Sequence, residues 1–332
     1  MKKKSVQFVK ENFNNCYGNK AVAVTGASGY IASVLINVLQ KTPVRILRIS
    51  RQDLHTIPGT ETLKADIRTN YCWKEIVEKV DVIFHLAGNT SVYSAMKDPA
   101  DSLNSTVLPI THLVTAAQAS GRRPRVVLAS TATVYGLTGS APVSEDMPTA
   151  PITNYDLHKL FAEKQLELAS NQGILEGVSL RLANVYGASS GNSSADDRGV
   201  LNKITRLALQ GTNLKLYGNG NYLRDYIYID DVVRAFIVAG VEKEVVGRSF
   251  NVATGKSITV REMFNLVAER AAIITGKKVS IENTPWPDGA DPIEFRNFVA
   301  NISRFRSFSG WHPMIRLNQG VDKMIEYFSN DR

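Results

Sequence analysis

The sequence predicts an α/β fold: a doubly wound parallel sheet followed by a smaller mixed α/β unit. Three observations carry that prediction. Short β-branched runs alternate with stretches of helical spacing through the first 180 residues, the pattern of a parallel sheet with right-handed crossovers and helices on both faces. The first run ends in a glycine turn that opens the first helix, as in Rossmann-type folds. The rhythm breaks near residue 183, where strand and helix pieces begin to mix.

The elements follow in order. Residues 20–25 (KAVAVT) read as a strand, and 30–41 as a helix with Ile31, Leu35, Val38 and Leu39 on one side. Residues 44–49, 80–86, 125–130 and 178–182 are further buried strands, with helices over 73–79, 101–119 and 154–170 between them. Residues 188–199 (ASSGNSSADDRG) are small and polar, a loop suited equally to a lid over a ligand and to a passive connection. Residues 249–252 look like a strand returning to the first sheet, and a last helix covers 317–328. The expected organisation is a polar arm over 1–19, a first unit over 20–183 joined by 226–254, and a second over 184–225 and 255–332. No internal repeat or low-complexity tract interrupts it.

Length and composition exclude several classes. At ~150 residues per domain, 332 residues make two units or one large one. With 44% hydrophobic and 21% charged residues the chain is neither disordered nor fibrous. Cys16 and Cys72 make neither a disulfide framework nor a ligand cluster, which suits a reducing compartment. The net charge is 39 − 31 = +8, but residues 1–20 contribute +4 and 296–332 contribute +3, leaving +1 for the 275 between. A nucleic-acid partner needs a basic stripe on the main unit, so none is expected. The basic pI of 9.3 still suits an anionic small ligand. No stretch of 18 apolar residues exists, and polar residues break every apolar run after the lysines at 2–4, so the expectation is a soluble, cytoplasmic protein without membrane contact.

The turn Thr25-Gly26-Ala27-Ser28-Gly29-Tyr30-Ile31-Ala32 lies between the first strand and first helix. Glycine allows the tight turn and lets backbone approach a pyrophosphate, which the N–H groups at Ser28–Ile31 then hold. The spacing is G-x-x-G-x-x-A, with Ala32 in the third small place. An acid about 20 residues on would bind the ribose of NAD, yet the stretch reads Leu47-Arg48-Ile49-Ser50-Arg51. Arg48 and Arg51 suit the 2′-phosphate of NADP, or stand as solvated strand-end charges. The reading therefore leans to NADP over NAD. Asp66-Ile67 is placed to meet the adenine edge or to be an ordinary loop, and Leu86-Ala87-Gly88 leaves room for ribose and nicotinamide. His85 reads as a core histidine.

Tyr155 and Lys159 stand one helical turn apart. A neighbouring ammonium favours the phenolate, making a general base for a sugar hydroxyl. The strand ahead ends in Ala129-Ser130-Thr131-Ala132-Thr133-Val134-Tyr135-Gly136, and hydroxyls at the carboxyl end of a parallel strand face the ligand crevice. Thr131 there can orient the reacting oxygen.

Gly26-x-x-Gly29, His85-Leu86-Ala87-Gly88, Asn104, the S-T-A-T-V-Y-G segment and Tyr155-x-x-x-Lys159 together resemble the extended short-chain dehydrogenase/reductase family, most closely its nucleotide-sugar epimerases and reductases. The likeness runs on through Arg181–Gly187 and residues 216–231 to Trp311, over roughly 20–328. It implies an NAD(P)-binding first unit in which Asn104 joins the cofactor site. It implies that Thr131 orients the sugar oxygen, Tyr155 is the base and Lys159 binds ribose. It implies further that Asn184 touches the substrate phosphates and that Arg224 and Arg296 clamp the nucleotide diphosphate. For Arg224 a salt bridge to Asp225 or Asp230 competes, and for Arg296 a solvated charge does. Relatives also pair as homodimers through helices equivalent to 98–119 and 154–170.

Departures narrow the reaction. The dehydratases of this group carry Asp-Glu after the threonine, where this chain has Ala132 and Thr133. Sugar-acid decarboxylases often carry Glu at the second place. What remains is hydride transfer at one carbon: a nucleoside-diphosphate-sugar 4-epimerase first, with an NADPH-dependent 4-keto-6-deoxy-sugar reductase as the alternative. A non-catalytic NAD(P)-binding sensor is a third reading, which retention of Tyr155 and Lys159 disfavours.

Overall fold

The computed structural model describes residues 17–189 and 199–330. Most of the expected polar arm and of the 188–199 loop therefore lies outside the described residues. Along the chain run β1 (Ala21–Thr25), α1 (Tyr30–Leu39), β2 (Arg45–Ser50), β3 (Thr60–Lys64), α2 (Tyr71–Lys79), β4 (Val82–His85), α3 (Val92–Lys97), α4 (Pro99–Thr106), α5 (Leu108–Ser120) and β5 (Arg125–Thr131). A short 3₁₀ turn (Ala132–Tyr135) precedes α6 (Asn154–Asn171), β6 (Glu176–Leu182) and β7 (Asn184–Tyr186). Then come α7 (Val200–Gln210), β8 (Leu214–Tyr217), β9 (Leu223–Tyr228), α8 (Ile229–Ala239), β10 (Arg248–Val252), β11 (Ser257–Thr259), α9 (Val260–Thr275), β12 (Ile281–Thr284), α10 (Ser303–Ser309) and α11 (Leu317–Asn330).

Seven strands form one parallel sheet in the order β10-β6-β5-β4-β1-β2-β3. The order reverses between β1 and β4, so the carboxyl ends of those strands open the crevice in which doubly wound sheets bind ligands. Alternation along a strand feeds opposite faces. In β1, Val22 and Val24 enter one apolar layer with α1 and α8, while Ala21 and Ala23 enter the other with Trp73 and Ile76. Trp73 is wholly buried and donates its indole N–H to Ile67 O at 2.9 Å.

Two sequence expectations change here. The single helix over 101–119 is two, because Pro109 has no N–H and its ring displaces the carbonyl four residues back, so the chain restarts at Leu108. Of the segment 226–254, Arg248–Val252 joins the large sheet beside β6, whereas residues 226–228 lie in β9, which pairs with β7 and β11 in a separate three-stranded sheet. Among the described residues, no helix is long and apolar enough to cross a membrane, and no group of three or more His, Cys, Asp or Glu is set to hold a metal ion.

Candidate active site

The glycine turn has the geometry its sequence asks for. Gly26 sits at φ +66° with the Ala87 backbone 3.0 Å from where a Cβ would stand. Gly29 donates its N–H to Gly26 O at 2.7 Å, and a Cβ on it would come within 2.9 Å of that same oxygen. No side chain caps α1, so the first-turn N–H groups at Tyr30 and Ile31 remain for an anion. The Thr25 hydroxyl accepts from Leu86 N and Ala87 N, both at 3.2 Å, and so holds the 86–88 backbone against the turn. Ser28 borders the turn, half-buried. The Tyr30 side chain points elsewhere, donating to Gly187 O at 2.6 Å, and Ile31 packs on the core.

Gly88 makes the next cradle. At φ +147°, a Cβ there would lie 3.3 Å from Lys159 Nζ and 3.7 Å from Thr106 Oγ1. Space kept free beside an ammonium suits the polar ribose of a nicotinamide dinucleotide, and with the uncapped α1 the residues present fit that group. Bound there, it supplies the hydride acceptor and donor. Asn104 is exposed on α4, and Thr106, two residues on, is the residue that reaches this turn through Asn89 N.

Thr131, at the end of β5, acts on the phenol of Tyr155, which is half-buried. Thr153 caps α6 and so fixes the first turn that carries Tyr155. Lys159 is buried and donates to Ala129 O at 2.9 Å. Burial lowers this ammonium to about 8, against the opposing pull of Glu163. Burial pushes the Tyr155 phenol up to about 12; Asp156 adds to the rise, while Thr131 and Arg296 oppose it. This corrects the expectation of a phenol made acidic by Lys159. The shared helix face is real, but the long side chain runs to the β5 carbonyl. His85 is a core residue, its ring lowered to about 3 by burial, with Nδ1 3.2 Å from Thr25 Oγ1.

Several other residues differ from expectation. Arg48 is buried within β2 and donates to His55 O at 2.9 Å and Thr62 Oγ1 at 2.8 Å, so its guanidinium braces the 51–59 loop rather than meeting a 2′-phosphate. Ser50 and exposed Arg51 stand at the carboxyl end of β2 instead. Asp66 is engaged by Arg68 at 2.6 Å, which holds its carboxyl below the usual range; Ile67 is buried after it. Arg224 spends its fork on backbone carbonyls of Leu223, Glu294 and Arg296, so it fastens the 293–297 segment and is neither a free diphosphate clamp nor a partner of Asp225. Asp225 serves Thr254, Gly255 and Ala300. Arg296 does face the site: its charge acts on Tyr155 and Asp156, and burial lowers it to about 10. Asn184 opens β7, half-buried, opposite Tyr226.

Sequence reasoning missed Asp156, which is fully buried beside Tyr155. It also missed the ion pair Arg181–Glu163, buried behind Lys159, with Ser130 donating to Glu163. Glu163 stands four residues after Lys159, a spacing that was there to be read.

A doubly wound sheet with an uncapped glycine-turn helix and a Tyr–Lys helix at its carboxyl edge defines an extended short-chain dehydrogenase/reductase. The model of the NAD dependent epimerase/dehydratase family matches residues 22–253, and the chain belongs to that family. It is similar to the UDP-glucose 4-epimerase of Mycolicibacterium smegmatis, 32% identical over 317 residues, spanning 92% of this chain and 98% of that one. Its structure is similar to the UDP-glucose 4-epimerase of Thermotoga maritima solved with UDP-glucose (TM-score 0.82, 25% identity, 94% and 99% of the two chains). It is likewise similar to MoeE5 solved with UDP-glucuronic acid and NAD (TM-score 0.82, 26% identity, 94% and 100%).

Proposed function

We propose that the protein is an NAD(P)-dependent 4-epimerase of a nucleoside-diphosphate sugar. The observation that carries this reading is half-buried Tyr155, whose phenol feels the Thr131 hydroxyl at the end of β5, with no carboxyl side chain at 132 or 133. Entering the cycle as the phenolate, which the positive charge of an oxidised nicotinamide would favour, Tyr155 takes the proton of a sugar hydroxyl as its carbon gives up hydride, and returns it once hydride comes back on the other face. Thr131 orients that oxygen, and Lys159 holds the dinucleotide ribose across Gly88. Asn184 and Arg296 meet the substrate phosphates. Relatives named as UDP-sugar 4-epimerases, some solved with NAD, support substrate class and cofactor alike.

A reductase that consumes NADPH is the second reading. It is favoured by the end of β2, where Ser50 and Arg51 offer no acid to a ribose hydroxyl and Arg51 is available to a 2′-phosphate. Exposed Leu103 on α4 and Phe161 and Leu168 on α6 suit a homodimer face, and a cytoplasmic location goes with both readings. The test is incubation with a panel of nucleotide sugars while cofactor absorbance and product identity are followed together. A product isomer without net cofactor loss means an epimerase, and stoichiometric loss means a reductase. Binding without turnover across the panel would defeat both in favour of a sensor.

A further inference from the structure

We propose that Tyr135 and Asn251 are positioning residues: their buried side chains lock residues 297–301, the stretch directly after Arg296, to the sheet behind the helix that carries Tyr155 and Lys159. This rests on the proposed function, in which Arg296 meets the substrate phosphates.

Tyr135 ends the 3₁₀ turn after β5 and is buried. Its ring stacks on Phe298, with centroids 6.3 Å apart, inside a small apolar cluster that also holds Val143 and Ala300. Its hydroxyl lies 2.9 Å from Arg181 Nη1 and 2.8 Å from Asn251 Oδ1. A guanidinium can only donate, so the phenol accepts from Arg181 and gives its own proton to Asn251. That turns the Asn251 amide nitrogen to two carbonyls, Val143 O at 2.9 Å and Asn301 O at 3.2 Å. Both amide protons are then spent, and Asn251, which has no solvent exposure, is left with one orientation.

The same network reaches the acid/base helix from the other side. Arg181 pairs with Asn251 in the register of β6 and β10. Its Nη2 donates to Glu163 Oε2 at 2.8 Å, and its Nε donates to both carboxylate oxygens. Glu163 stands on α6 one turn beyond Lys159 and also accepts from Ser130 of β5. A continuous buried path thus runs from α6 through Arg181, Tyr135 and Asn251 to the backbone of residue 301. The loop that follows Tyr135 continues the attachment: Thr138 donates to Asn297 O, Val143 N donates to Val299 O at 2.8 Å, and Asn301 N donates to Val143 O at 2.9 Å. A buried polar network with its partners satisfied specifies one arrangement of the elements it joins. Among the described residues neither Tyr135 nor Asn251 hydrogen-bonds to Arg296 or Tyr155, so their effect on the site passes through the backbone they hold.

The experiment uses two variants of the full-length protein. Tyr135→Phe removes one hydroxyl and keeps the ring on Phe298; Asn251→Ala removes the junction, and if it does not fold Tyr135→Phe decides alone. In hydrogen exchange of the ligand-free protein, the Asn301 amide should open about tenfold or more faster relative to the amides of β1. Unchanged relative protection at Asn301 overturns the proposal whatever the protein binds. In titrations with UDP, GDP, CDP and dTDP, the diphosphate that wild type takes should bind Tyr135→Phe about fivefold or more weakly with dinucleotide affinity unchanged, and turnover should show the loss in KM rather than in kcat. Adding Tyr135→Phe to Arg296→Met should cost no further affinity, because both act through one guanidinium. A merely structural role would lower the thermal midpoint and move neither ratio. Wild-type diphosphate affinity in Tyr135→Phe, or its full loss repeated on top of Arg296→Met, overturns the proposal. Failure of wild type to bind any of the four diphosphates would instead sink the functional reading, and the exchange result would then decide the junction by itself.

Discussion

Replacing Lys159 with methionine is expected to stabilise the ligand-free protein while abolishing its activity. Lys159 is 5% exposed, and its ammonium donates to Ala129 O. Burial lowers the group from 10.5 to about 8, which at ~1.4 kcal/mol per pH unit amounts to about 3 kcal/mol spent on keeping a buried cation at pH 7. Methionine keeps the apolar stem and loses the hydrogen bond, worth ~1 kcal/mol. The net gain is about 2 kcal/mol. Its pH dependence has a definite sign. The unfolded lysine titrates at 10.5 and the folded one at about 8, so between those values the unfolded chain holds more protons and wild-type stability rises with pH. The advantage of Lys159→Met is therefore full below pH 8, shrinks from 8 to 10.5, and has reversed above 10.5, where only the lost hydrogen bond remains. Urea unfolding at pH 7 and pH 10.5 reads both ends, and Tyr155 titrates in both proteins and cancels. A variant less stable than wild type at pH 7, or a difference that does not move with pH, refutes the reasoning.

Tyr155→Phe is expected to lower turnover by about 10²–10⁴ with circular dichroism and dinucleotide binding unchanged, because one hydroxyl is removed from the cleft. Gly88→Ala puts a methyl 3.3 Å from Lys159 Nζ on backbone at φ +147°, and titration should show dinucleotide affinity down about tenfold or more. Arg51→Ala should weaken NADP about tenfold while leaving NAD unchanged. Arg48→Ala should leave the NADP/NAD ratio alone and lower the thermal midpoint instead, since its partners are His55 and Thr62.

The parallel sheet was legible because buried strands flanked by amphipathic helices leave a period that survives in one sequence, and the glycine turn was legible because only glycine suits that φ and that approach to Ala87. Tyr155, Thr131 and Lys159 were placed at the right ends of the right elements. What the residues do with their side chains was less legible. Arg48 and Arg51 look alike in sequence, yet one is buried under a loop and the other exposed, because Arg48 lies within β2 and Arg51 just past its end. Spacing put Tyr155 and Lys159 on one helix face but said nothing of the Ala129 carbonyl that takes the ammonium. Asp156 reads as an ordinary helix-start acid until its burial is seen.

The long-range part of the site shows why. Arg296 is 141 residues beyond Tyr155 in the chain, and no local pattern brings them together. The structure does so by stitching the 293–298 segment to β9: Asn297 Oδ1 accepts from Leu223 N at 2.8 Å, Phe298 N donates to Leu223 O at 3.0 Å, and Arg224 donates to two carbonyls of the segment, Glu294 O and Arg296 O. Arg224 thus sets the position of Arg296 by backbone contact while lowering its proton affinity by like charge. Arg296 itself uses one donor, to Ile293 O at 2.9 Å, among the described residues. A guanidinium has five. Two arginines act on each other with most of one fork unspent, opposed in part by Glu294 and Asp156, and on the proposed function an anion from outside would balance the rest. If a diphosphate of the proposed substrate supplies it, Arg296→Met should raise KM far more than it lowers kcat; an unchanged KM would move the phosphates away from this arginine.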